Sequence, residues 1–158
     1  MKKRIIALGL LWCLFAVMLQ AARVDTVLVR SAAMNKDVKV VYVLPDKAIG
    51  KQACPVVYLL HGYGGNARSW VQLKPELPQM ADEKGIIFVC PDGKNSWYWD
   101  SPENPAYRYE TFVTSELVKY TDGNYATIPD RKARAISGLS MGGHGALWSA
   151  IRHKDVFL

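Results

Sequence analysis

Histidine and cysteine are both scarce, three of each in 158 residues, and that scarcity narrows the chemistry. His61, His144 and His153 are scattered, with no His/Cys/Asp cluster at ligand spacing, so no metal centre is expected. Phosphate-cradling glycine loops of the Walker and dinucleotide kinds are missing, and with them any expectation of a cofactor. No arginine-rich segment or basic stripe is present, so nucleic acid is not an expected partner. The formal charge of +6 misleads on this point. Lys2, Lys3 and Arg4 supply three of those charges, and without them +3 remains. Repeats, low-complexity tracts and interdomain linkers are absent too.

Only one apolar run is long, Ile5 to Leu19, and it falls short of the roughly 20 residues that span a membrane. It follows Lys2-Lys3-Arg4 and precedes the small residues of Gln20-Ala21-Ala22, the layout of a secretory signal. Residues 1–22 are therefore expected to be removed. Residues 23–158 then form the mature part of a secreted or periplasmic protein, with no stable membrane insertion. An uncleaved anchor is the alternative. Cys13 lies inside the apolar run, which argues against a lipoprotein. Cys54 precedes one predicted strand and Cys90 ends another, so parallel strands would hold them too far apart for a disulfide. Both are expected to be unpaired.

Two β-rich runs, Val24–Val29 and Val38–Leu44, flank the polar Asn35-Lys36-Asp37 and read as an antiparallel hairpin. In the second run Val38, Val40, Tyr42 and Leu44 share one face, and Lys39, Val41 and Val43 the other. Pro55–Leu60 and Ile86–Cys90 are nearly continuous apolar strands, as in a parallel sheet buried on both faces. A helical pattern over Ser69–Lys84 is interrupted by Pro75 and Pro78. Another runs from Tyr109 to Tyr120, with Phe112, Val113, Glu116, Leu117 and Tyr120 at helical spacing. The alternation implies a three-layer α/β sandwich with a mostly parallel sheet, whose active site gathers at the carboxyl ends of the strands.

At that edge stands Gly138-Leu139-Ser140-Met141-Gly142, between a short strand (Lys132–Ser137) and a helix (Met141–His153). A serine on so sharp a strand-to-helix turn is a nucleophile elbow, and Gly138 and Gly142 are the small residues it requires. The backbone N–H of Met141 points at the oxyanion formed by attack on a carbonyl. A second donor is expected from the turn after the third strand, at Gly62-Tyr63. His61 reads as an orienting hydrogen-bonder of that turn rather than as a base. The aromatic loop Asn95–Tyr109 includes Trp97, Tyr98 and Trp99, which either line an acyl or sugar pocket or pack the loop onto the domain. His144 and His153 both fall on the elbow helix, and neither is placed to return to Ser140 with an acid behind it.

Leu59-Leu60-His61-Gly62-Tyr63-Gly64-Gly65, Pro91-Asp92-Gly93 and Gly138 through Leu147 together resemble the esterase D-like branch of the α/β-hydrolases. That branch includes S-formylglutathione hydrolases, tributyrin, feruloyl and acetylxylan esterases, and the antigen 85 mycolyltransferases. The resemblance implies Ser140 as nucleophile, oxyanion donors at Met141 and Tyr63, and His144 as a residue of the elbow helix. It also implies a triad acid and base beyond Leu158, so that 23–158 is the N-terminal portion of the domain. The implied activity is a serine carboxylic-ester hydrolase working through an acyl-enzyme on small acyl esters, acetyl or feruloyl esters of polysaccharides among them. A catalytically incomplete fragment, or a non-catalytic binding remnant, is the other expectation.

Overall fold

The computed structural model describes residues 22–158. The expected export signal, residues 1–22, lies outside them except for Ala22. Alternating apolar residues build an antiparallel hairpin of β1 (Arg23–Ser31) and β2 (Lys36–Leu44), registered Arg23 to Leu44 and Ser31 to Lys36. The turn is Ala32–Asn35, slightly earlier than the polar triplet suggests, and Asn35 takes a φ of 50°. A short helix α1 (Asp46–Ile49) interrupts the connection to β3 (Val56–Leu60). Next come α2 (Ser69–Leu73), α3 (Leu77–Lys84) and β4 (Ile87–Pro91). The helical stretch therefore breaks in two, with Pro75 in the gap and Pro78 in the first turn of α3, where a missing N–H is tolerated.

One long helix follows, composed of α4 (Tyr109–Thr111), a π-helical turn (Phe112–Glu116) and α5 (Leu117–Asn124). It runs past Tyr120, and its central turn is wider than the regular helix the periodicity predicts. A 3-10 turn (Arg131–Ala133) leads into β5 (Arg134–Gly138), and α6 (Met141–Arg152) completes the described elements.

The sheet order is β1-β2-β4-β3-β5. Strands β4, β3 and β5 run parallel, while β2 is antiparallel to both β1 and β4. Val38, Val40, Tyr42 and Leu44 pack with Tyr109, Phe112, Leu117 and Met141 on one face. Val41 and Val43 pack with Leu77, Ala81 and Phe88 on the other. Helices thus cover both faces of one sheet, with α4–α6 on the first and α2–α3 on the second.

Cys54 belongs to the first core and Cys90 to the second, so the sheet itself separates the two free thiols. Burial pushes the Cys90 thiol up to about 12. The folded protein should therefore leave Cys90 unalkylated by iodoacetamide at pH 8, whereas denaturant should expose it. Mass spectrometry of labelled peptides checks this, and rapid native labelling at Cys90 would contradict the packing.

Candidate active site

The parallel strands β3, β4 and β5 end along one edge, and the loops that follow them meet there. Ser140 sits between β5 and α6 at φ 53° and ψ −116°, a left-handed conformation costly for a residue with a side chain. Such strain persists only where the surroundings impose it. A Cβ on Gly138 would stand 2.2 Å from the Gly142 carbonyl oxygen, and one on Gly142 would stand 2.2 Å from that of Leu60. The elbow is therefore as tight as its glycines permit. Ser140 is exposed, and its Oγ makes no hydrogen bond with any described residue. Met141, the first residue of α6, carries an N–H with no intrahelical acceptor.

The turn after β3 comes close from the other side. A Cβ built on Gly62 would lie 3.6 Å from Cβ of Ser140 and 3.4 Å from the Leu139 carbonyl oxygen. The Gly62 carbonyl accepts from His61 Nδ1 at 2.7 Å and from the Gly65 N–H at 3.0 Å. In a planar trans peptide the N–H points opposite to the carbonyl. These two bonds therefore aim the N–H of Tyr63 the other way, and it has no acceptor among the described residues. His61 is buried, and its Nε2 accepts from the Gly93 N–H at 2.9 Å, which requires the neutral ring with its proton on Nδ1. Asp92 Oδ1 lies 3.7 Å from that Nε2. Burial alone would raise the Asp92 carboxyl. Lys94, which reaches Asp92 through both Nζ and N–H, outweighs it and holds the group well below the usual carboxylate range.

Of the two roles the sequence left open for the aromatic loop, Tyr98 takes the packing one. Trp97 and Tyr98 both adopt left-handed backbone, with φ 57° and 59°. That pair of residues sends Trp97 outward and Tyr98 into the core, where it is 0% exposed. Tyr98 is therefore no wall of a substrate pocket. Its hydroxyl accepts from the His61 N–H at 3.0 Å. Its side chain fills the space that a side chain on Gly93 or Gly145 would need, with built Cβ atoms 2.2 Å from its Cε1 and 2.5 Å from its Cβ. Tyr98 thus ties the turn after β3, the loop after β4 and α6 together. Gly93 and Gly145, both inside motifs visible in the sequence, were the available signal.

Trp97 and Trp99, both half-exposed, join His144 around an apolar cavity of about 200 Å³ beside the elbow. His144 is occupied: its Nδ1 lies 3.1 Å from the Trp97 carbonyl oxygen, and its ring stacks on Trp148 at 6.0 Å. His153 is committed elsewhere, 2.8 Å from Glu110. Glu110 also receives Trp148 Nε1 and Arg152 Nε at 2.8 Å each. Neither imidazole is bonded to Ser140 Oγ; the His144 backbone N–H donates to the Ser140 carbonyl at 3.0 Å as part of the helix. Among the described residues, no three His, Cys, Asp or Glu side chains are grouped so as to hold a metal ion.

Burial alone would raise the Glu110 carboxyl, but these three donors lower it below its ordinary value. Its folded pKa is depressed, so its contribution to stability is present above the unfolded value of about 4.3 and fades as pH falls through the folded one. Glu110→Gln should cost about 2 kcal/mol at pH 7. The difference from wild type should shrink below about pH 4. Urea unfolding at pH 7 and pH 3.5 measures both, and an equal loss at the two values would refute the charged clamp.

Comparison with known proteins settles the family. Residues 31–158 match the family model described as "Putative esterase". The chain belongs to this esterase family. An acetyl esterase of Caldicellulosiruptor saccharolyticus is 28% identical over 136 residues, covering 81% of this chain and 50% of that protein. The S-formylglutathione hydrolase of Agrobacterium tumefaciens superposes with a TM-score of 0.77 at 28% identity, over 87% of this chain and 56% of that one. A ferulic acid esterase gives 0.75 at 31% identity, over 87% and 58%. The chain spans about half the length of the curated relatives it matches. The fold is accordingly the α/β-hydrolase sandwich, and the described residues cover its N-terminal part. No helix among them is long and apolar enough to cross a membrane.

Proposed function

We propose that this chain carries the nucleophile and the oxyanion donors of a serine carboxylic-ester hydrolase. The observation behind this reading is the approach of Gly62 to Ser140 across the tight elbow. Ser140 Oγ attacks the ester carbonyl. Negative charge develops on the carbonyl oxygen, between the N–H groups of Met141 and of Tyr63, with Gly62 lining the approach. The dipole of α6 adds to this stabilisation. The alcohol leaves, and an acyl-Ser140 ester remains for water to hydrolyse. The proton on Oγ needs a base, and His61, His144 and His153 are all engaged in other bonds. The proposed general base is therefore none of these three imidazoles.

The substrate class is small acyl esters. The compartment proposed from the N-terminal sequence favours extracellular ones, such as acetyl or feruloyl groups on polysaccharides. Trp97 and Trp99 supply flat apolar faces for an acyl or sugar ring beside Ser140. The p-nitrophenyl acetate reaction tests the reading. A burst of p-nitrophenol with an acetyl group located on Ser140 by mass spectrometry is expected, with neither in Ser140→Ala. Acetylation elsewhere, or a burst surviving in Ser140→Ala, would overturn it. Trp97→Ala should raise KM for methyl ferulate about tenfold while changing that for p-nitrophenyl acetate little, since roughly 1–2 kcal/mol of aromatic contact is lost. Equal effects on both esters would remove Trp97 from the pocket.

A further inference from the structure

A second cavity lies farther along the same sheet edge, about 240 Å³ in volume and walled by Lys36, Lys39, Asp92, Lys94 and Tyr109. Strand order creates it. Because β2 runs antiparallel to β4, the start of β2 meets the end of β4, and the Asp92 N–H donates to the Lys39 carbonyl at 2.9 Å. Lys36 is pinned in the wall. Its Nζ donates to the Ala106 carbonyl at 2.5 Å and sits 5.1 and 4.7 Å from the ring centres of Tyr107 and Tyr109. Lys94 Nζ is 2.8 Å from Asp92. Lys39 is exposed, and its Nζ has no hydrogen bond or ion pair among the described residues.

Tyr109 makes the cavity more than a cluster of surface lysines. It is only 1% exposed, yet its hydroxyl has no hydrogen-bond partner among the described residues. Nor is that oxygen sealed away from solvent like the hydroxyl of Tyr58. The residue thus lines the cavity with a donor that no described residue uses. The charge there is positive on balance: three lysines face Asp92, and the remaining wall acid, Asp37, is 3.6 Å from Arg30. Burial lowers the Lys36 ammonium below its ordinary value, and the like charge of Lys94 lowers it further, against the pull of Asp92. An anion among these groups would relieve that repulsion.

We propose that this cavity binds a small oxyanion group, a carboxylate or phosphate, held by Lys39 and Lys94 with the Tyr109 hydroxyl as a neutral donor. The site is distinct from Ser140. Strands β5, β3, β4 and β2 are successive neighbours at about 4.8 Å spacing, which sets the cavity roughly 10–15 Å from the nucleophile. An ester with an extended anionic arm spans both, but the binding itself does not rest on the esterase reading.

Amide NMR titration of the whole chain tests the proposal without requiring turnover. Inorganic phosphate and, separately, acetate are added at constant ionic strength balanced with chloride. Saturable shifts are expected at residues 36–39 and 92–94 with at least one of the two anions. Saturation by phosphate alone marks a phosphate site, and saturation by acetate marks a carboxylate site. Lys39→Met should weaken the affinity about fivefold, and Tyr109→Phe about threefold with an unchanged urea midpoint. Shifts that fail to saturate with either anion, or affinities untouched by both substitutions, would overturn the proposal.

Discussion

Gly142→Ala is expected to destabilise the protein by about 3 kcal/mol or more, because the added methyl meets only backbone. Its Cβ would lie 2.2 Å from the Leu60 carbonyl oxygen, 2.5 Å from the Leu60 carbonyl carbon and 2.7 Å from the His61 oxygen. No flexible side chain is there to swing aside. The Leu60 oxygen is itself fixed, accepting from the Leu139 N–H at 3.2 Å and from Trp70 Nε1 at 3.0 Å. Relief therefore requires α6 to slide off the end of β3, which separates Ser140 from Gly62. Gly143→Ala is the internal control, since its Cβ comes no nearer than 3.4 Å to the Gly138 oxygen. Urea unfolding should show a large drop in midpoint for Gly142→Ala and a small change for Gly143→Ala. A wild-type midpoint for Gly142→Ala would mean that the elbow is looser than described.

The second large effect concerns a single proton. Tyr63→Pro deletes the backbone N–H proposed as the second oxyanion donor, whereas Tyr63→Ala keeps it and removes only a ring that is 66% exposed. The proline variant should lose about 100- to 1000-fold in kcat with little change in KM, and the alanine variant less than about threefold. The contrast separates the donor from the side chain. Because the His61 ring and the Gly65 N–H set the plane of that peptide, His61→Ala should fall between them. Equal activities for Tyr63→Pro and Tyr63→Ala in folded protein would move the second oxyanion donor elsewhere.

Legibility in the sequence followed how many neighbours each residue's role involves. Val38, Val40, Tyr42 and Leu44 report a strand face through their own spacing, and Val41 and Val43 report the opposite core. The elbow is equally local, since two glycines and a serine within five residues meet its steric demand. Strand order is not local: nothing in the β3 or β4 sequence says that β2 lies beside β4 with β3 on its far side. The aromatic loop shows the same limit. Trp97 and Tyr98 look alike as letters, yet one is a surface ring and the other a core bolt, because Gly93 and Gly145 leave a slot for only one of them. The π turn at Phe112–Glu116 was invisible for a related reason. The ends of its helix answer to separate partners, Glu110 to α6 and Glu116 to Ser31 and Ala33 of the hairpin. The cavity around Lys36 escaped because residues 36, 39, 92, 94 and 109 meet only through the antiparallel pairing of β2 with β4.

The adjacent left-handed residues 97 and 98 form a fork. One arm is the indole at the mouth of the apolar cavity, and the other is the phenol bonded to the His61 N–H. Both rings hang from one short left-handed stretch of backbone, and Tyr98 holds the N–H of His61, whose ring in turn holds the Gly62 carbonyl. The wall of the apolar cavity and the turn that carries the Tyr63 N–H are thus anchored to one two-residue segment.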